Sequence, residues 1–139
     1  MPVPDFAKLL QPVAAERPCG DDLEYDPDYL ALTQASLGKP ERQMGESTIP
    51  AEDPDWREVK RLGLQLLERS KDLRIAVPVA RALMHTDGLA AFAAALRGID
   101  ALLTQFWDGL YPLLDADDDN DPTMRVNTLL ALADPAGLL

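Results

Sequence analysis

The stretch Lys71-Asp72-Leu73-Arg74-Ile75-Ala76-Val77-Pro78-Val79-Ala80-Arg81-Ala82-Leu83-Met84 decides the fold class of this 139-residue chain. Leu73, Ile75, Ala76, Val77, Val79, Ala80, Leu83 and Met84 cover nearly every side of a helix. A helix that is apolar all round sits at the centre of a globule, with other helices around it. Pro78 removes one backbone hydrogen bond from its middle and is expected to bend it. Arg74 and Arg81 stand seven residues apart and share one face. An unpaired buried guanidinium is costly, so each needs a partner, and Asp22, Glu24, Asp108 and Asp115 are the candidate acids. Arg74 is expected to tie one acidic turn to the bundle. An unchanged melting temperature in Arg74→Ala would overturn that expectation.

Working outward, the flanking segments are helical too. Trp56, Val59, Leu62, Gly63, Leu66 and Leu67 form one stripe, with Arg57, Glu58, Arg61 and Glu68 off it. Leu89, Phe92, Leu96, Ile99, Leu103 and Phe106 recur at three-and-four spacing, and the alanines between them allow close helix approach. Phe6, Leu9, Leu10 and Val13 outline a short first helix that Pro12 ends early. A second helix runs from Pro27 to Leu37, stopped by Gly38. The last runs from Pro122 to Ala133 on Val126, Leu129, Leu130 and Ala133. Asp26-Pro27, Asp53-Pro54 and Asp121-Pro122 each pair a capping carboxylate with a proline suited to the first helical position. No segment alternates long enough to read as a strand. The reading is all-α, a single domain over residues 1–139 with about six helices. One long connection, Ser36 to Asp53, is either a solvated connector or a functional loop. A further helix-start signal at Asp134-Pro135 suggests a fragment of a longer protein.

Composition narrows the function classes. The net charge is −11 and the hydrophobic fraction 47%, so this is a foldable acidic chain rather than an acidic disordered tail. It lacks the basic face that nucleic acid or an anionic membrane surface would require. The start has neither the basic flank nor the apolar run of a signal peptide, and no apolar run could span a bilayer. The single Cys19 fits a reducing, cytoplasmic setting.

Catalytic chemistry finds little to work with. A calcium loop begun at Asp22 requires Gly at its sixth position and Glu at its twelfth, where Pro27 and Thr33 stand. Begun at Asp115, it meets Asn120 and Val126. Both clusters read as acidic turns that cap helices, with a divalent-ion module as the alternative of a different class. Cys19 and His85 are each the only one of their kind. Ser47 and Ser70 stand in no nucleophile pattern, and no glycine run cradles phosphate. No enzyme activity and no cofactor are expected.

Phe106-Trp107-Asp108-Gly109-Leu110-Tyr111-Pro112-Leu113-Leu114 is more informative. Trp107, Tyr111 and Leu114 either plug the bundle end, with Trp and Tyr bonded to loop carbonyls, or form an exposed docking anchor. Trp56 has the same double reading, with core packing preferred. The candidate partner-binding residues are Trp107, Tyr111 and Asp115, followed by Met44 and Ile49 in the long connection. Arg74, Arg81, Asp108 and Trp56 are the candidate structural residues.

Cys19-Gly20-Asp21-Asp22-Leu23-Glu24-Tyr25-Asp26-Pro27, Asp53-Pro54-Asp55-Trp56-Arg57, Ser70-Lys71-Asp72-Leu73-Arg74, Arg81-Ala82-Leu83, Gly88-Leu89-Ala90-Ala91-Phe92, Trp107-Asp108 with Tyr111-Pro112, and Arg125-Val126-Asn127 occur in this order. As an ordered set they resemble the ImpA-type N-terminal domain of TssA-like proteins of bacterial type VI secretion. The resemblance covers about Leu9 to Leu139, and Pro78 departs from it. It implies a non-enzymatic assembly factor, acting in the cytoplasm at the baseplate and membrane complex and in tube and sheath assembly. It implies partners among baseplate, membrane-complex, tube or sheath subunits, and homo-oligomers formed through a C-terminal region absent here. Relatives that cap or anchor the distal sheath end are the accessory alternative. The family supplies no catalytic residues.

Overall fold

The computed structural model describes residues 6–133, with side chains from Lys8 onward. The Phe6 side chain and the Asp134-Pro135 signal therefore lie outside the described residues. Six α-helices follow in order: α1 (Phe6–Leu9), α2 (Pro27–Leu37), α3 (Trp56–Leu67), α4 (Leu73–Thr86), α5 (Leu89–Gln105) and α6 (Thr123–Leu130). Short 3₁₀ turns occupy Ala116–Asp118 and Ala131–Ala133.

The all-α reading needs one correction. The long connection contains an antiparallel hairpin, β1 (Arg42–Met44) and β2 (Ser47–Ile49), with Arg42 opposite Ile49 and Met44 opposite Ser47. An isolated Lys39–Glu52 bridge continues the same register toward α2. Gly45 takes the first central position of the two-residue turn with φ +63°, a conformation glycine adopts without steric cost. Three-residue strands exposed at every position but the half-buried Ile49 carry no buried period, so alternation could not reveal them.

The predicted central helix is central. α4 packs against α2, α3, α5 and α6, and Leu73, Ile75, Val79 and Leu83 are sealed from solvent. Pro78 lies inside it without ending it. α3 buries Val59, Leu62, Gly63, Leu66 and Leu67 against it, while Trp56 is only half-buried. A Cβ on Gly63 would stand 2.1 Å from the Val79 Cγ2 methyl. Gly63→Ala therefore gains about 1 kcal/mol of helix propensity but forces the α3–α4 contact apart, at a larger cost of about 2–3 kcal/mol. The expected net result is a melting temperature lower by several degrees in a thermal scan.

Two stripes come out rotated. α5 turns Ala91, Ala95, Gly98, Ile99 and Leu102 inward, while Leu89 and Leu96 are exposed. Small residues win that face because they let α4 come close. α6 buries Arg125 and leaves Val126 and Leu130 exposed, so its inner face is Arg125 and Leu129, continued by Leu132 in the 3₁₀ turn that follows.

Of the Asp-Pro signals, Asp26 caps α2 as read, accepting from the Asp28 N–H. At the second, Asp55 rather than Asp53 caps α3, accepting from the Glu58 N–H. At the third, α6 starts at Thr123 without a side-chain cap.

Candidate functional site

Three extended segments meet at one end of the bundle. The Lys71 N–H donates to the Cys19 carbonyl at 2.8 Å, the Tyr111 N–H to the Lys71 carbonyl at 3.0 Å, and the Leu73 N–H to the Tyr111 carbonyl at 2.8 Å. The α3–α4 connection is thus clamped between the N-terminal loop and the segment after α5. The Tyr111 hydroxyl donates to the Gly20 carbonyl at 3.0 Å and closes the same knot. The Tyr111–Pro112 peptide is cis.

Arg125, which sequence reasoning did not single out as a site residue, holds the outer loop of this knot. It is 1% exposed. Its Nε donates to the Pro112 carbonyl at 2.8 Å, one terminal nitrogen to Trp107 at 2.8 Å and the other to Leu110 at 2.6 Å. The guanidinium also lies 4.6 Å from the Trp107 ring centroid, a cation–π contact. Burial pushes its pKa down, partly offset by Cys19 and Asp108. The hints in the sequence are an arginine among the apolar residues of the last helix and its place in the Arg125-Val126-Asn127 motif.

Trp107 is therefore fixed from beneath and open above, at 43% exposure. Phe106 and Leu110 are buried and fill the bundle end, and Tyr111 is half-buried with its bonded hydroxyl. Leu113 is exposed beside them. An open groove of about 480 Å³ runs past Arg17, Cys19, Gln105, Asp108, Gly109 and Leu113. Asp108 is exposed. Asp115 caps the turn at Ala116–Asp118 by accepting from the Asp117 N–H at 3.1 Å, and its own N–H donates to the Asp121 carbonyl. Met44 lies on the hairpin, exposed, and Ile49 is half-buried there. These two belong to a different element from the Trp107 loop.

Arg74 contacts one of its four candidate acids, with Asp22 at 2.9 Å. Its main partner is Asp72, which was not among them. The fully buried Asp72 carboxylate accepts from the Arg74 Nε at 3.0 Å and from a terminal nitrogen at 2.8 Å. Arg81 lies over Trp56, 5.3 Å from the ring centroid, and His85 stacks on the same indole at 4.6 Å.

Lys71 was missed, and Cys19 was weighed without its burial. Lys71 is buried, with its ammonium donating to the carbonyls of Leu9 and Leu67, and burial lowers its pKa. Cys19 is a buried thiol whose pKa burial raises. Among the described residues, no three or more His, Cys, Asp or Glu side chains converge as a metal site. None of their helices is long and apolar enough to cross a membrane.

A family model described as ImpA, N-terminal, type VI secretion system, matches residues 10–134. The chain belongs to this ImpA N-terminal family. It is 51% identical over 128 residues to the type VI secretion system component TssA1 of Pseudomonas aeruginosa, covering 92% of this chain and 37% of that protein. Its structure matches the N-terminal domain, including the conserved ImpA_N region, of the TssA component from Burkholderia cenocepacia. That match has a TM-score of 0.75 and 30% identity, over 95% of this chain and 47% of the other. This ImpA N-terminal chain thus spans well under half the length of the curated relative it matches.

Proposed function

We propose that this ImpA N-terminal chain is a non-enzymatic docking domain of the type VI secretion apparatus, binding another secretion subunit through the surface around Trp107. One observation carries the reading: a large aromatic side chain is left partly exposed on a loop whose backbone is locked by a buried arginine. Rigid aromatic anchors bind with little entropy left to lose, which is why tryptophan is enriched at binding hot spots. The exposed Leu113 beside it and the adjoining groove give a partner apolar area to cover. The chain's acidity would steer a basic partner toward it. Family membership supplies the setting, with baseplate, membrane-complex, tube and sheath subunits as the partners to test, in the cytoplasm.

The test measures binding of each purified subunit to the chain and to Trp107→Ala by calorimetry. At least one subunit is expected to bind, and Trp107→Ala to weaken it about thirty-fold, the scale of a single hot spot. The melting temperature of the variant is measured beside it. Unchanged affinity in a folded Trp107→Ala would overturn the Trp107 surface, and no binding to any subunit would overturn the docking reading itself.

A further inference from the structure

Helix α2 carries apolar residues on opposite sides. Leu32 is buried, and Tyr29 and Ala35 pack partly against the core. Leu30 and Leu37 leave the helix on the outer side, 50% and 75% exposed. With Gln34 between them they follow i, i+4, i+7 spacing and form one stripe. At its C-terminal end the chain returning from the hairpin crosses so closely that a Cβ on Gly38 would stand 2.4 Å from the Glu52 carbonyl oxygen. An open groove of about 610 Å³ remains beside this crossing, lined by Gln34, Leu37, Lys39, Glu52, Asp53 and Asp55.

Charge selects what can lie there. α2 contains no basic residue; at its start Asp26 and Asp28 share one cation, Arg69, at 2.6 and 3.9 Å. Glu52, Asp53 and Asp55 rim the far end, where Lys39 pairs with Glu52 at 3.5 Å. The Asp53 carboxylate has no hydrogen bond or ion pair among the described residues. Acids outnumber cations at both ends, Asp26 and Asp28 against Arg69 and Glu52, Asp53 and Asp55 against Lys39, so a second copy of this chain would bring net negative charge against net negative charge. The same charge equally repels nucleic acid and anionic lipid.

We infer that the outer face of α2 is a second docking surface, which receives a basic amphipathic helix from a partner protein. The partner's apolar stripe covers Leu30 and Leu37, and its Lys or Arg side chains meet Asp53 and the Glu52 beside it. This face is carried by different elements from the Trp107 loop, so the two surfaces can fail separately.

The probe is a synthetic peptide of about fifteen residues with Leu on one helical face and Lys on the other, titrated into the ¹⁵N-labelled chain. Amide shifts are expected to concentrate at residues 30–39 and 52–55. Leu30→Ser/Leu37→Ser is expected to weaken binding about ten-fold, and Glu52→Gln/Asp53→Asn about three-fold with a flatter salt dependence. Trp107→Ala binds as the parent does. Shifts spread equally over residues 115–121 would mean non-specific charge attraction and overturn the proposal. So would equal binding of a Leu/Glu peptide, or full affinity in Leu30→Ser/Leu37→Ser. Sedimentation showing a dimer that this double variant dissolves would assign the face to self-association instead.

Discussion

Arg125→Met is expected to lower the unfolding free energy by about 3–4 kcal/mol and to release Trp107 from its fixed position. Three carbonyls, those of Trp107, Leu110 and Pro112, share this one guanidinium. Methionine fills much of the stem's volume but donates nothing, so buried acceptors lose their partners together. The cation under the Trp107 ring goes as well. Urea denaturation measures the first effect. The second is read from tryptophan emission in a Trp56→Phe background, where a red shift is expected as the indole gains water. An unchanged denaturation midpoint would show that the loop is held by something other than Arg125.

Asp72→Ala is expected to cost about as much, roughly 3–4 kcal/mol. The carboxylate does two things from a fully buried position. It caps α4 by accepting from the Arg74 N–H at 2.8 Å, and it neutralises the Arg74 guanidinium. Burial raises the Asp72 pKa, and the hydrogen bonds and charge of Arg74 pull it back. Burial opposes the Arg74 charge too, but the Asp72 bonds outweigh it and hold its pKa up.

Removing the Arg74 side chain instead leaves the buried carboxylate with the backbone N–H of residue 74 but without the guanidinium, so its folded pKa rises further. A raised carboxyl pKa means that the folded state binds the proton more tightly than the unfolded state does. Stability then falls as pH rises through the window between the two pKa values. The deficit of Arg74→Ala is therefore largest near pH 7 and shrinks as pH is lowered toward about 4. Denaturation curves for both variants at several pH values check this. A pH-independent deficit in Arg74→Ala, or a wild-type midpoint in Asp72→Ala, would overturn the account.

The resemblance to ImpA-type domains was legible because its short motifs sit where the chain makes caps and joints. Asp72-Leu73-Arg74 is the capped start of α4, and Tyr111-Pro112 is the strut against Gly20. The Trp107 region was legible as a place but not as an arrangement. Its aromatic run announced a bundle end; which rings would face inward depended on Arg125, thirteen residues beyond Pro112.

Sequence alone determined which segments are helical, because apolar spacing, Gly38 and the Asp26-Pro27 cap act over one or two turns. It also determined that α4 is the centre, since a helix apolar on all sides has nowhere else to go. Tertiary structure alone decided the rotation of α5 and α6 and the short pairings that clamp residues 70–72. Rotation answers to contacts between distant elements. Alanines that let α4 approach outweigh larger leucines on α5, and one arginine satisfied by three distant carbonyls outweighs two apolar side chains on α6. A local reading counts hydrophobicity and places arginine outside. The folded chain counts satisfied bonds and places it within.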